Sequence, residues 1–285
     1  MEFINDLFHY TFLQRSLVTA IWVGIISGLI GSFIVMRGMA LMGDAISHAI
    51  LPGIAISYMF GINYFYGAVL FGVMATVGIS AISQHSRIKQ DSSIGIVFTA
   101  FFALGVILVS KTPTATDLTQ ILFGNVLSVR SSDMYLTIGI GLLILIVIVL
   151  FYKELLISTF DETMAQVYGL KTKLIHYVIM ILLTMATVAS LQTVGVVLVV
   201  AMLITPAATA YLLTNRFSIM LILSSLIGTI SSVLGLYFSF KYNLSSGAVI
   251  VLVATVLFVI AFLFSPKEGL VWQLTRSKQI KNEEI

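Results

Sequence analysis

From Ser16 to Met36 the chain carries no charged side chain, and eight further apolar runs of similar length follow. They extend approximately from Met39 to Met59, Tyr64 to Ser83, Ser92 to Ser110, Met134 to Tyr152, Leu174 to Leu191, Thr193 to Thr214, Ser218 to Phe240 and Gly247 to Ser265. A bilayer's hydrocarbon core takes about 20 apolar residues of helix, and a backbone in lipid has to satisfy its own hydrogen bonds. The pattern therefore predicts an all-α, polytopic membrane protein of eight to nine transmembrane helices. The sixth and seventh runs belong to one apolar stretch, Leu174 to Thr214, which is too long for a single crossing. Gln192 and Thr193 mark the expected turn.

Composition narrows the class further. With 59% hydrophobic and 9% charged residues, a water-soluble fold is excluded, and the lack of a long polar run points to one membrane domain over residues 1–285. No cysteine is present, so a metal would be held by oxygen, nitrogen or thioether. The net charge of +3 needs no nucleic acid to explain it, because cytoplasmic loops of membrane proteins are enriched in lysine and arginine. Alternating the loops places Arg37, Arg87, Lys89, Lys153, Lys171, Lys173, Arg216, Lys267, Arg276, Lys278 and Lys281 inside. Only Arg15, Lys111, Arg130 and Lys241 remain outside, with the N-terminus outside and a cytoplasmic tail at 266–285. Because Arg37 is the sole charge between the first two runs, an eight-span arrangement with one early segment re-entrant or interfacial is the alternative. Met1 to Gln14 lacks the features of a secretory signal and is expected along the interface.

Two connecting segments are long. Lys111 to Asp133 is polar and then apolar, so it is expected on the outer side, partly re-entering. Lys153 to Lys173 is placed inside; its acidic start at Asp161 and Glu162, apolar Met164, Val167 and Tyr168, and Gly169 as a stop read as a short amphipathic helix. An ordinary surface connector would look the same.

Of twelve acidic residues only Asp44 falls inside an apolar run. An ionisable group at mid-membrane costs roughly 2.5 to 3.5 kcal/mol on insertion scales, so it needs a partner or a task. His48 follows four positions later in GDAISHAILPG, on the same helical face. A carboxylate with an imidazole suits Mn²⁺, Fe²⁺ or Zn²⁺ more than Ca²⁺ or Mg²⁺. Two ligands hold an ion incompletely, which favours release. Interhelical glue is as open as an ion site at this stage, with a proton relay as the third reading. Pro52 denies the carbonyl of His48 its helical partner, which supplies a further oxygen or merely a kink. Pro206, with Met202 and Thr205 beside it, raises the same choice in the seventh run, where packing is the simpler explanation. His9, His85 and His176 read as solvated or interfacial, and Gly24 with Gly28 permits a close helix contact.

The chain has no G-x-x-x-x-G-K-[ST] loop, no H-E-x-x-H helix and no G-x-S-x-G turn. It is therefore not expected to hydrolyse ATP or act as a hydrolase by itself. Ser47, next to His48 in sequence, lies off the histidine's face.

The stretch from Arg37 to Ala55, RGMALMGDAISHAILPGIA, resembles the signature of ABC-3 permeases, the membrane subunits of ABC importers for manganese, zinc and iron. The resemblance continues through DSSIGIVFTAFFALGVIL at Asp91 to Leu108, LFGNVL at Leu122 to Leu127, FDETMAQVYGL at Phe160 to Leu170 and LQTVGVVLVVAMLITPAATAYLL at Leu191 to Leu213. It implies a type II-like ABC permease of the bacterial plasma membrane. It also implies a homodimeric pore that takes a divalent metal from an extracellular metal-binding lipoprotein, surrounded by lipid and driven by ATP on cytoplasmic ATPase subunits. No cofactor would be bound permanently. Carried onto this chain, Asp44 and His48 become the metal-coordinating pair, with manganese favoured over zinc and iron. Phe160, Asp161, Glu162, Ala165 and Gly169 become parts of the helix that docks on the ATPase. The competing class is an ATP-independent secondary metal or proton transporter, or a channel.

Overall fold

A computed structural model describes residues 9–111 and 126–265 and is helical throughout its regular structure. In chain order the helices are α1 Thr11–Met36, α2 Leu41–Ala49, α3 Leu51–Met59, α4 Tyr64–His85, α5 Gln90–Ser110 and α6 Ser131–Leu150. They continue as α7 Tyr152–Phe160, α8 Glu162–Val167, α9 Thr172–Val194, α10 Val196–Leu213, α11 Phe217–Tyr242 and α12 Ser246–Phe264. Eight of them are long and apolar enough to cross a bilayer. The tail at 266–285, the segment 112–125 of the long outer link and residues 1–8 lie outside the described residues. The link's last part is a short 3₁₀ turn, Val126–Ser128, where the Val126 N–H donates to Ser246 Oγ at 3.2 Å.

The expected second span is not one helix. It is broken at Ile50 into α2 and α3, nine residues each. The cause is Pro52 in the first turn of α3, which has no N–H to return to the carbonyl of His48. The expected turn near Gln192 and Thr193 also shifts. Helix α9 runs on to Val194, and the chain reverses at Gly195, whose φ of +87° suits glycine alone. Pro206 does not interrupt α10 and is buried, as the packing explanation requires.

Lipid gives helices no hydrophobic reason to associate, so close packing and interhelical hydrogen bonds hold a membrane bundle together. Both meet where α1 crosses α11. A β-carbon on Gly24 would stand 2.7 Å from the backbone of Gly228, and one on Gly28 only 2.6 Å from that of Ser224. Ser224 Oγ donates across the crossing to the Gly28 carbonyl at 2.8 Å and lies 2.8 Å from Ser32 Oγ. A second polar clasp, Thr76 Oγ1 to Thr184 Oγ1 at 3.0 Å, joins α4 to α9. Helix α1 also packs on α10 and α6, while α2 lies among α4, α5, α9 and α10. The segment that carries Asp44 and His48 thus packs against four helices of the bundle.

Candidate metal-transport site and coupling segment

Asp44 and His48 occupy successive turns of α2, and Asp44 Oδ1 stands 3.5 Å from His48 Nε2. Donor-to-metal bonds of about 2.1 Å would span that separation at an angle near 110°, so one small divalent ion fits between the two atoms. The pair faces an opening: its side chains are 46% (Asp44) and 27% (His48) exposed in the single chain. Met42, Ala45, Ile46 and Ala49 on the other sides of α2 are buried. Amphipathic residues at this spacing thus fix which face looks outward.

The histidine ring is seated by two phenylalanines from α5. Phe98 and Phe102 meet it edge-on at centroid distances of 5.6 and 5.5 Å, and they stack on each other one helical turn apart. Nε2 is the ring nitrogen that meets Asp44. Nδ1 is buried without a hydrogen-bond partner among the described residues. Metal-ligating histidines usually donate from the second nitrogen to a carboxylate or carbonyl, which raises ligand basicity. Without that donation the imidazole is a weaker ligand. Among the described residues no group of three or more His, Asp or Glu side chains gathers in a way that could hold one ion. Ser47 is no nucleophile here, because its Oγ donates to the Gly43 carbonyl at 2.8 Å.

The segment from Lys153 to Lys173 folds as α7 and α8. Asp161 caps α8, its carboxylate accepting the Met164 N–H at 2.8 Å, and Gly169 ends it with a φ of +76°. Both termini were readable in the sequence. Val167 (78% exposed), Tyr168 (69%), Met164 and Phe160 present an apolar surface, whereas Ala165 is buried against the rest of the fold. Beside it opens a groove of about 470 Å³ lined by Tyr152, Leu156, Phe160, Asp161, Met164 and Phe217. Phe160 meets Phe217 edge-on at 5.6 Å, and Phe217 meets Phe33 of α1 at 4.9 Å. Of the sequence-predicted residues, Phe160, Asp161, Glu162, Ala165 and Gly169 lie together on α7, α8 and the turn that follows, and Asp44 with His48 pair separately on α2.

A third polar group was missed by sequence reasoning. His176 is not simply interfacial: its Nδ1 faces Arg37 Nη1 at 3.5 Å and its Nε2 lies 3.2 Å from Ser80 Oγ. Arg37 further donates to Ser158 Oγ at 3.1 Å and Thr159 Oγ1 at 3.2 Å. These partners are more than a hundred residues away from Arg37 in the chain, and no local pattern announces them.

An all-helical bundle with eight membrane-length helices among the described residues, a half-open polar pair inside it and an exposed apolar surface on α7 and α8 has the organisation of a transport permease. The chain belongs to the ABC 3 transport family, whose model matches residues 9–265. It is similar to the manganese transport system membrane protein MntC of Listeria monocytogenes, with 60% identity covering 97% of this chain and 99% of the relative. The manganese import system permease protein ScaB of Streptococcus gordonii is 49% identical over 94% of this chain and 96% of its own length. Among solved structures, PsaBC from Streptococcus pneumoniae in complex with Fab matches with a TM-score of 0.86 and 49% identity, covering 94% of this chain and 96% of that one. The protein is accordingly a multi-pass permease subunit of an ABC importer in the bacterial plasma membrane.

Proposed function

We propose that this permease carries manganese into the cytoplasm and that Asp44 and His48 form the transient metal site of its pathway. The observation that carries the reading is the 3.5 Å separation of a carboxylate oxygen and an imidazole nitrogen on an open face inside the bundle. One hard and one borderline donor match Mn²⁺ and also accept iron or zinc. The names of the relatives favour manganese. Two donors and a histidine without a second-nitrogen partner hold the ion loosely enough to let it go. In a homodimer, two such pairs near one axis complete the coordination.

The chain is read as one transmembrane permease domain. Its segment 153–173 docks on a cytoplasmic ABC ATPase through the exposed face of Phe160, Met164, Val167 and Tyr168, with Asp161 and Glu162 starting the helix, Ala165 anchoring it and Gly169 ending it. An extracellular metal-binding lipoprotein delivers the ion. Asp44 stands in the first turn of α2, just past the turn that begins at Arg37, so the site is nearer the cytoplasmic side. Closure of the ATPases tilts the bundle and exposes the pair alternately to the two sides.

The test is manganese uptake into liposomes holding the permease with its ATPase and binding protein. Uptake is expected to require ATP and to fall at least about a hundredfold in both Asp44→Asn and His48→Ala, with dimer assembly unchanged. Uptake by the permease alone, without ATPase, would establish an ATP-independent carrier instead. Full uptake in both variants would reduce the pair to interhelical packing.

A further inference from the structure

Arg37 is the C-cap residue of α1, and the chain turns there into the metal-binding helix. The turn is tightly built: Gly38 at φ +67° donates to the Val35 carbonyl at 3.1 Å, and Met39 donates to the Ile34 carbonyl at 3.0 Å. This is a Schellman closure, which fixes the direction in which α2 departs. The Met42 N–H then bonds the Met39 carbonyl at 3.0 Å, so backbone hydrogen bonds run from Arg37 through Met39 into the first turn of α2. A displacement of Arg37 moves the start of α2 with it.

The guanidinium reaches the opposite way. Its Nε and Nη2 donate to Thr159 Oγ1 and Ser158 Oγ in the last turn of α7, directly ahead of Asp161, the cap of α8. Arginine has no acceptor, so Nδ1 of His176 faces Nη1 with its lone pair, and Nε2 carries the proton donated to Ser80 Oγ. One side chain thus ties the α1–α2 turn to α7 and α9, and through His176 to α4. Among the described residues no carboxylate stands within ion-pair distance of it. Burial works against its charge, and Glu162 in the first turn of α8 is the carboxylate that offsets this from farther away. A half-buried cation held by two hydroxyls and an imidazole is an expensive way to pack a helix end. It is a directional one, because a planar fork holds two acceptors at fixed angles.

We propose that Arg37 is the positioning residue through which movement of the ATPase-docking segment α7–α8 reaches the metal-binding helix α2. The inference rests on the ABC-permease reading above. Motion of α8 pulls on Ser158 and Thr159, the fork transmits it to the α1–α2 turn, and the turn reorients the face that carries Asp44 and His48. The network through His176 and Ser80 gives the fork a fixed bearing on the bundle.

The decisive measurement is the number of manganese ions imported per ATP hydrolysed, read in the same liposomes containing the complete complex. In Arg37→Gln this ratio is expected to fall about tenfold while ATP hydrolysis stays within about twofold of wild type. Equilibrium manganese binding to the purified complex is expected to be unchanged. Arg37→Lys, which keeps the charge but not the fork, should recover only part of the loss. An unchanged ratio in Arg37→Gln overturns the proposal, as does a parallel fall of uptake and hydrolysis, which would mark a purely structural role. If Arg37→Gln does not assemble, Ser158→Ala combined with Thr159→Val removes only the two acceptors; a wild-type ratio there overturns the proposal equally. Failure of the underlying reading looks different, since the wild-type complex itself would then show no ATP-dependent uptake.

Discussion

The crossing of α1 with α11 and the kinked pair α2–α3 are both made of small residues, yet they treat polar groups in opposite ways. At the crossing, Gly24 and Gly28 bring two backbones together, and the hydroxyls of Ser32, Ser224 and Ser225 are spent on carbonyls and on each other. On α2 the serine is likewise satisfied by its own helix. Asp44 and His48, by contrast, stay partly exposed, and His48 Nδ1 has no partner among the described residues. An ionisable pair left open inside an apolar bundle calls for a partner or a task, which satisfied hydroxyls do not. The difference sets the packed crossing apart from the proposed pathway.

The comparison breaks most visibly at Gly28. Its β-carbon would land on the backbone of Ser224, which cannot rotate aside. Gly28→Leu should therefore separate the helices and cost more than about 3 kcal/mol, leaving little folded protein in the membrane. Size-exclusion profiles and thermal unfolding in detergent would report it. Gly139→Ala, at a position with no heavy atom within 4 Å of the added carbon, is the matched control and should fold normally.

On the pathway side the expected losses are in function. Phe98→Ala removes one of the two rings that seat His48 and should weaken manganese binding about tenfold, measured by titration of the purified complex below its unfolding temperature. Pro52→Ala should act in the other direction on stability. It restores an N–H for the His48 carbonyl, worth about 1 kcal/mol, and straightens the segment. Manganese uptake is expected to fall several-fold while the midpoint of thermal unfolding holds or rises. A drop in both would mean that the kink serves packing rather than the site.

How far the sequence carried these conclusions depends on the range of the interactions. Asp44 and His48 were legible because four residues on a helix always share a face, and α8 was legible because Asp161 and Gly169 act within one turn of its ends. The break at Ile50 was half legible. Pro52 announced a kink, but continuous apolarity from Met39 to Met59 concealed that two helices result. The reversal at Gly195 was misplaced by two to three residues, since hydropathy is flat across it and only the backbone conformation marks the glycine. Arg37 looked like an ordinary loop charge. Its role depends on Ser158, Thr159 and His176, which only the assembled bundle brings to it.

The smallest expected effect tests what holds the scaffold. Ser224→Ala deletes the interhelical donation to the Gly28 carbonyl but keeps a side chain small enough for the close approach. Ser32 Oγ also donates to that carbonyl at 2.8 Å, so neither it nor the carbonyl is left unsatisfied. Interhelical hydrogen bonds in membranes average about 0.6 kcal/mol, because chains unfolded in lipid find other partners. Ser224→Ala should therefore lower the unfolding midpoint slightly and leave manganese uptake at the wild-type level. Were it to unfold the protein as Gly28→Leu does, hydrogen bonding rather than close approach would hold the crossing. The scaffold would then depend on polar groups as much as the pathway does, and the contrast between them would fail.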